Sequence, residues 1–163
     1  MELNDFFDYV NADLGDLEYP YKPTQLYNSI TLCDGTQELK DYQLAIIGVG
    51  EERNTASNEG CKEAPNHVRK YLYRLTGFGK SSSQIIDLGN LKIGATTQDT
   101  YFALSSILED LIKKNVLPII IGGGQDLTYA NFLAYKNLEQ TVNIAAVDSK
   151  FDLGDSDDDL ASD

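Results

Sequence analysis

The run over residues 118–155, PIIIGGGQDLTYANFLAYKNLEQTVNIAAVDSKFDLGD, constrains the fold of this chain more than any other stretch. Its apolar start ends in Gly122-Gly123-Gly124, and Gln125 opens a new segment. A second apolar run, 143–147, ends in Asp148-Ser149-Lys150-Phe151-Asp152. Short apolar runs bounded by glycine and polar residues predict strands buried on both faces. Between them Leu127, Ala130, Leu133, Ala134 and Leu138 recur at helical spacing over 126–138. The expected unit is strand, helix and parallel strand, with polar residues at both carboxyl ends. In an open α/β sheet, ligands bind along that edge.

The rest of the chain repeats the alternation. QLAIIGVG at 43–50 and the run at 84–88 predict two further core strands, and the strand that ends at the glycines starts at 116. Ala64-Pro65-Asn66 starts a helix that Gly77 closes, with Val68, Leu72 and Leu75 expected on its buried face. A longer helix over about 100–115 carries Phe102, Leu104, Ile107, Leu108, Leu111 and Ile112 as its stripe, and Lys113 and Lys114 suit its C-terminal dipole. Strands alternating with helices predict an α/β fold, a three-layer α/β/α arrangement around a largely parallel sheet. Residues 1–42 read as a lead-in that packs on the main domain, with Leu3, Phe6, Phe7 and Val10 fitting a short helix. The main domain is expected over 43–155. An acidic tail follows over 156–163, and the sheet is expected to be incomplete at that end.

Composition narrows the function classes. A net charge of −13 argues against nucleic acid, whose phosphates need basic partners. No apolar run reaches the length of a membrane span, and no charged-then-apolar leader opens the chain. Cys33 and Cys61 lack metal-like spacing and read as reduced thiols, which predicts a cytoplasmic location. Gly48-x-Gly50 invites a dinucleotide reading, but the third glycine is missing and Glu51-Glu52 would oppose a pyrophosphate. The long polar loop over 51–63 is expected to be functional, with Arg53, Asn54 and Asn58 able to reach a ligand carboxylate or amide. His67, the only histidine, reads as a partly exposed helix residue.

Four motifs in order carry a resemblance. They are Glu59-Gly60-Cys61-Lys62-Glu63-Ala64-Pro65-Asn66-His67-Val68-Arg69, Asp87-Leu88-Gly89-Asn90, Gly122-Gly123-Gly124-Gln125-Asp126 and Asp148-Ser149-Lys150-Phe151-Asp152. Over about residues 43–155 the chain resembles the amino-terminal part of the ureohydrolase family, which includes arginase, agmatinase and formimidoylglutamase. The resemblance implies metal-dependent hydrolysis of a guanidino or formimino carbon–nitrogen bond, with a hydroxide shared by two manganese ions. It also implies a small guanidino or formimino compound as substrate.

At the positions where that family holds its metals, this sequence departs from the pattern. Gln125 and Lys150 stand in the places of two histidines, while Asp148 and Asp152 match retained aspartates. An amide oxygen is a poor manganese ligand beside an imidazole, and an ammonium has no lone pair. Strand alternation would put Asp148, Lys150 and Asp152 on one side, where the ammonium could replace a metal between two carboxylates. Three readings stay open: a degenerate ureohydrolase-like domain that has become a pseudoenzyme, an active hydrolase with a non-standard metal site, and an α/β module that binds a small ligand. An uncovered strand at the end of the sheet further predicts a homo-oligomer.

Overall fold

The computed structural model describes residues 5–10, 20–55, 58–77, 79 and 84–148. Their elements, in chain order, are β1 (Phe7–Asp8), β2 (Thr31–Leu32), β3 (Leu44–Val49), α1 (Ala64–Leu72), β4 (Ile85–Leu91), α2 (Thr97–Lys113), β5 (Leu117–Ile121) and α3 (Leu127–Asn137). The sheet runs β1-β4-β3-β5, with β2 also on β4. β1 is antiparallel to β4, and every other pairing is parallel. The fold is therefore the expected α/β type with a mostly parallel sheet.

Helices on both faces explain why the central strands are apolar along their whole length. Ala45, Ile47, Val49, Ile86 and Leu88 point to one face, where they form a core with Leu104, Ile107, Leu108 and Leu111 of α2 and with Leu127, Ala130 and Ala134 of α3. The alternate residues Ile46, Ile85 and Asp87 point to the face where α1 lies. Thr96 caps α2 by accepting from the Asp99 amide, and the Asp99 carboxylate accepts from the Thr96 amide in return. This reciprocal box fixes the helix start at Thr97, earlier than the apolar stripe alone suggests. Phe102, expected in that stripe, is exposed, and Thr100, Tyr101 and Ser105 are buried instead.

α1 buries a different side from the one its apolar spacing predicts. Val68 and Leu75 are exposed, whereas Pro65, Arg69 and Tyr73 are buried. Arg69 Nε and Nη2 donate to the Asp87 carboxylate, each at 2.8 Å, and Nη1 donates to Asn90 Oδ1 at 2.5 Å. The Tyr73 hydroxyl donates to Asp87 Oδ2 at 2.8 Å. Gly48 makes room for this node, because a Cβ there would collide with Asn90 Oδ1 and Arg69 Nη1, and Gly89 takes φ 90° beside it. The register between β3 and β4 shifts there, and a Cβ on Gly89 would collide with the Asp8 carbonyl. A buried ion pair therefore sets the orientation of α1, and it overrides the apolar stripe.

Two further expectations change. Leu3 lies outside the described residues, and Phe7, expected in a helix with it, is in a strand instead: β1 pairs Phe7 with Leu91 and Asp8 with Asn90. Residues 143–147 form no strand, and Ile144 and Val147 are exposed. Their apolar character supplies only a preference for strand. A strand needs a hydrogen-bonded neighbour, and none of the described strands pairs with this run.

Candidate functional site

Three connections meet at the carboxyl edge of the sheet: the loop after β3, the loop between β4 and α2, and the turn between β5 and α3. The Gly124 amide donates to the Glu51 carbonyl at 2.8 Å, which seats the glycine turn on the first loop. A Cβ on Gly123 would collide with the same carbonyl. Only glycine allows this approach, so Gly123→Ala is expected to cost about 1–3 kcal/mol by overpacking. It should also push Gln125 out of place. Urea unfolding of the variant checks this, and an unchanged midpoint would show that the turn can shift freely.

Glu51 is buried, and Arg53 encloses it. Arg53 Nε donates to Glu51 Oε1 at 2.8 Å and Nη2 to Oε2 at 2.5 Å, while Thr100 Oγ1 donates to Oε2 at 3.0 Å. The guanidinium also donates to the Ala95 carbonyl at 2.8 Å and the Gly94 carbonyl at 3.1 Å. Burial pushes the Glu51 carboxyl up, but the bonds from Arg53 and Thr100 outweigh it and hold the group below its usual range. Arg53, expected to reach a ligand, thus spends its donors on the scaffold. Arg53→Ala should cost about 1–3 kcal/mol at neutral pH, the price of an unpaired buried acceptor. Because the folded carboxyl is depressed, this stabilisation is complete above the ordinary glutamate pKa and lost as pH falls through the folded value. The gap between wild type and Arg53→Ala should therefore narrow below about pH 4.3. A gap independent of pH would mean that Arg53 acts by packing alone.

Asn54 is tied down in a similar way. Its Nδ2 donates to the Tyr101 hydroxyl at 2.9 Å, and that hydroxyl donates to Asp126 Oδ2. Burial, and then the bond to Asp126, hold the Tyr101 phenol far above its usual range, so it stays a donor. Asp126 is buried, and its second oxygen Oδ1 has no hydrogen-bond partner. Tyr101 does not stand out in the sequence, and Asp126 enters there only as the last residue of the glycine-turn motif. The available signal was the spacing of Tyr101 with Leu104, Leu108 and Leu111, which puts it on the core side of α2. Asn58 lies exposed beside the turn at Gly60.

Gln125 and Asp148, separate in sequence, are brought together: Gln125 Nε2 donates to Asp148 Oδ2 at 3.1 Å. Both residues are exposed. Lys150 and Asp152 lie outside the described residues. Because 143–148 is not a strand, the alternation that would set Lys150 between the two aspartates has no basis in the described backbone. His67 is exposed on α1. Among the described residues no cluster of His, Cys, Asp and Glu could hold a metal ion. Among the described residues, the matching positions offer one amide and one carboxylate, bonded to each other, and an amide oxygen is a poor manganese ligand.

Comparison with known proteins gives a consistent picture. The sequence model of the arginase family matches residues 42–162. The formimidoylglutamase of Macrococcus caseolyticus is 31% identical over 137 residues, 78% of this chain and 42% of that protein. The crystal structure of formimidoylglutamase from Bacillus subtilis superposes with a TM-score of 0.63 at 21% identity, over 79% of this chain and 43% of that one. A formiminoglutamase from Trypanosoma cruzi, solved with Mn2+, gives 0.54 at 22% identity, over 69% and 40%. The chain spans about half the length of the curated relatives it matches.

Proposed function

The chain belongs to the arginase family, and from that premise we propose a ureohydrolase-type domain, formimidoylglutamase-like in kind, whose metal centre is too altered for ready hydrolysis. Its ligand class is a small guanidino or formimino compound, taken at the carboxyl edge of the sheet. The observation that carries this reading is the contact between Gln125 and Asp148. Where the resemblance places a metal, an amide N–H instead occupies a carboxylate oxygen at 3.1 Å. The chemistry of the sequence points the same way, since Lys150 replaces a ligand with a cation. The family's metal would need Asp148, Asp152 and Gln125 as ligands, and this set lacks any imidazole.

An altered but working site has one observation in its favour. Asp126 follows Gln125 directly and keeps a buried carboxylate oxygen without a partner. Metal content and turnover separate the two readings. Purified chain should carry no stoichiometric manganese and should not release formamide from a formimino compound or urea from a guanidino one. Stoichiometric manganese together with turnover would establish the active hydrolase.

A further inference from the structure

Among the described residues three acids are buried, Glu51, Asp87 and Asp126. Two of them are built into the scaffold in the same way. Glu51 has the Arg53 guanidinium on both oxygens and the Thr100 hydroxyl besides. Asp87 has the Arg69 guanidinium on both oxygens, with the Tyr73 hydroxyl and the Gly89 amide. A buried charge needs such a partner, because its lost hydration is otherwise uncompensated.

Asp126 departs from this pattern. Among the described residues no ion pair reaches it. Its Oδ2 accepts from the Tyr101 hydroxyl, while Oδ1 has no hydrogen-bond partner. Asn54 Nδ2 donates to the same hydroxyl at 2.9 Å, which turns the phenol proton toward Asp126. One oxygen is thus fixed from inside and the other is left over, on a residue that keeps only 7% of its surface. A buried acceptor without a partner calls for a specific explanation. Its place supplies one: Asp126 follows Gln125 in the turn between β5 and α3, at the carboxyl edge, and Tyr101 ties it to the loop after β3.

We propose that Asp126 is the anionic subsite for a planar nitrogen cation, an amidinium or guanidinium. This rests on the functional reading above and names the residue that takes the charged end of the ligand. Formimino and guanidino groups are protonated at neutral pH, and their planar N–H forks match a carboxylate. Such a cation gives Asp126 what Arg53 and Arg69 give the other two buried acids. Tyr101 is then a positioning residue: it fixes the carboxylate through Oδ2 and leaves Oδ1 for the ligand. The net charge of −13 favours cations over anions as ligands. Because Oδ1 is buried, entry requires a side chain at the edge to move, and exposed Gln125 is the adjacent one.

The test titrates the chain with formamidinium chloride and with methylguanidinium chloride at constant ionic strength. Formamide and urea are the neutral counterparts, and potassium and manganese chlorides the inorganic ones. With aspartate carboxyls labelled with carbon-13, the resonance missing from Asp126→Asn is that of Asp126. Both planar cations should move it saturably, and the neutral compounds should not. By calorimetry Asp126→Asn should weaken their binding by about tenfold or more. If that variant fails to fold, Tyr101→Phe identifies the resonance by removing the bond to Oδ2, and the wild-type titration decides. An Asp126 resonance that no planar cation moves would overturn the proposal, even where calorimetry records amidinium binding elsewhere on the chain. So would equal binding by Asp126→Asn, or an equal response to potassium or manganese, which would make this an inorganic cation site. The functional reading fails on different grounds, stoichiometric manganese with turnover, which these titrations do not measure.

Discussion

Replacing Arg69 by methionine is expected to destabilise the fold by about 3–5 kcal/mol, the cost of leaving a buried charge without its partner. Asp87 and Arg69 are both fully buried. Two guanidinium bonds of 2.8 Å, the Tyr73 hydroxyl and the Gly89 amide at 2.9 Å together satisfy the carboxylate. Burial, with the neighbouring carboxylate, holds the Tyr73 phenol far above its usual range, so it remains a donor. The pair itself need not stabilise the protein, because desolvation of two charges offsets most of their attraction. The double variant Arg69→Met, Asp87→Leu should therefore recover a large part of the loss. For a chain of this size, melting should shift by about 2–4 °C per kcal/mol. A single-variant loss below about 1 kcal/mol would mean that α1 is held by its apolar contacts and that the ion pair is incidental.

The Lys150→His, Gln125→His double variant is expected to bind manganese where the wild type does not. This follows from the proposed site, in which Lys150 stands where the resemblance places a metal ligand. An ammonium about 4 Å from a divalent ion costs roughly 8 kcal/mol at an effective dielectric near 20. Micromolar binding is worth about 8 kcal/mol, so the one charge is enough to abolish it. Lys150→His alone removes the repulsion. Gln125→His then supplies an imidazole beside Asp148 and frees the carboxylate oxygen that the amide now occupies. Calorimetry and metal analysis on the wild type and both variants decide the matter. Stoichiometric manganese in the wild type would sink the idea. A double variant that gains no metal would show that the site is lost for reasons beyond these two positions.

The sequence by itself determined the α/β class, the core strands β3, β4 and β5, and the helices between them. Those signals are local: apolar runs bounded by glycine, and apolar residues repeating at helical spacing. It also carried the family, because four short motifs keep their order and chemistry in one dimension. Tertiary structure decided which side of α1 is buried. A helix stripe states a preference for burial, but the Arg69 guanidinium found a buried carboxylate eighteen residues away in β4. It likewise decided that 143–147 is not a strand, since pairing requires a neighbour that no local pattern can supply. Arg53 and Asn54 show the same limit at the candidate site. Their polar side chains suggested reach toward a ligand, yet Glu51 and Tyr101 claim them from within the scaffold. Residue type tells what a group can bond. Only the fold sets which partner lies within 3 Å, because that distance depends on contacts between residues far apart in the chain.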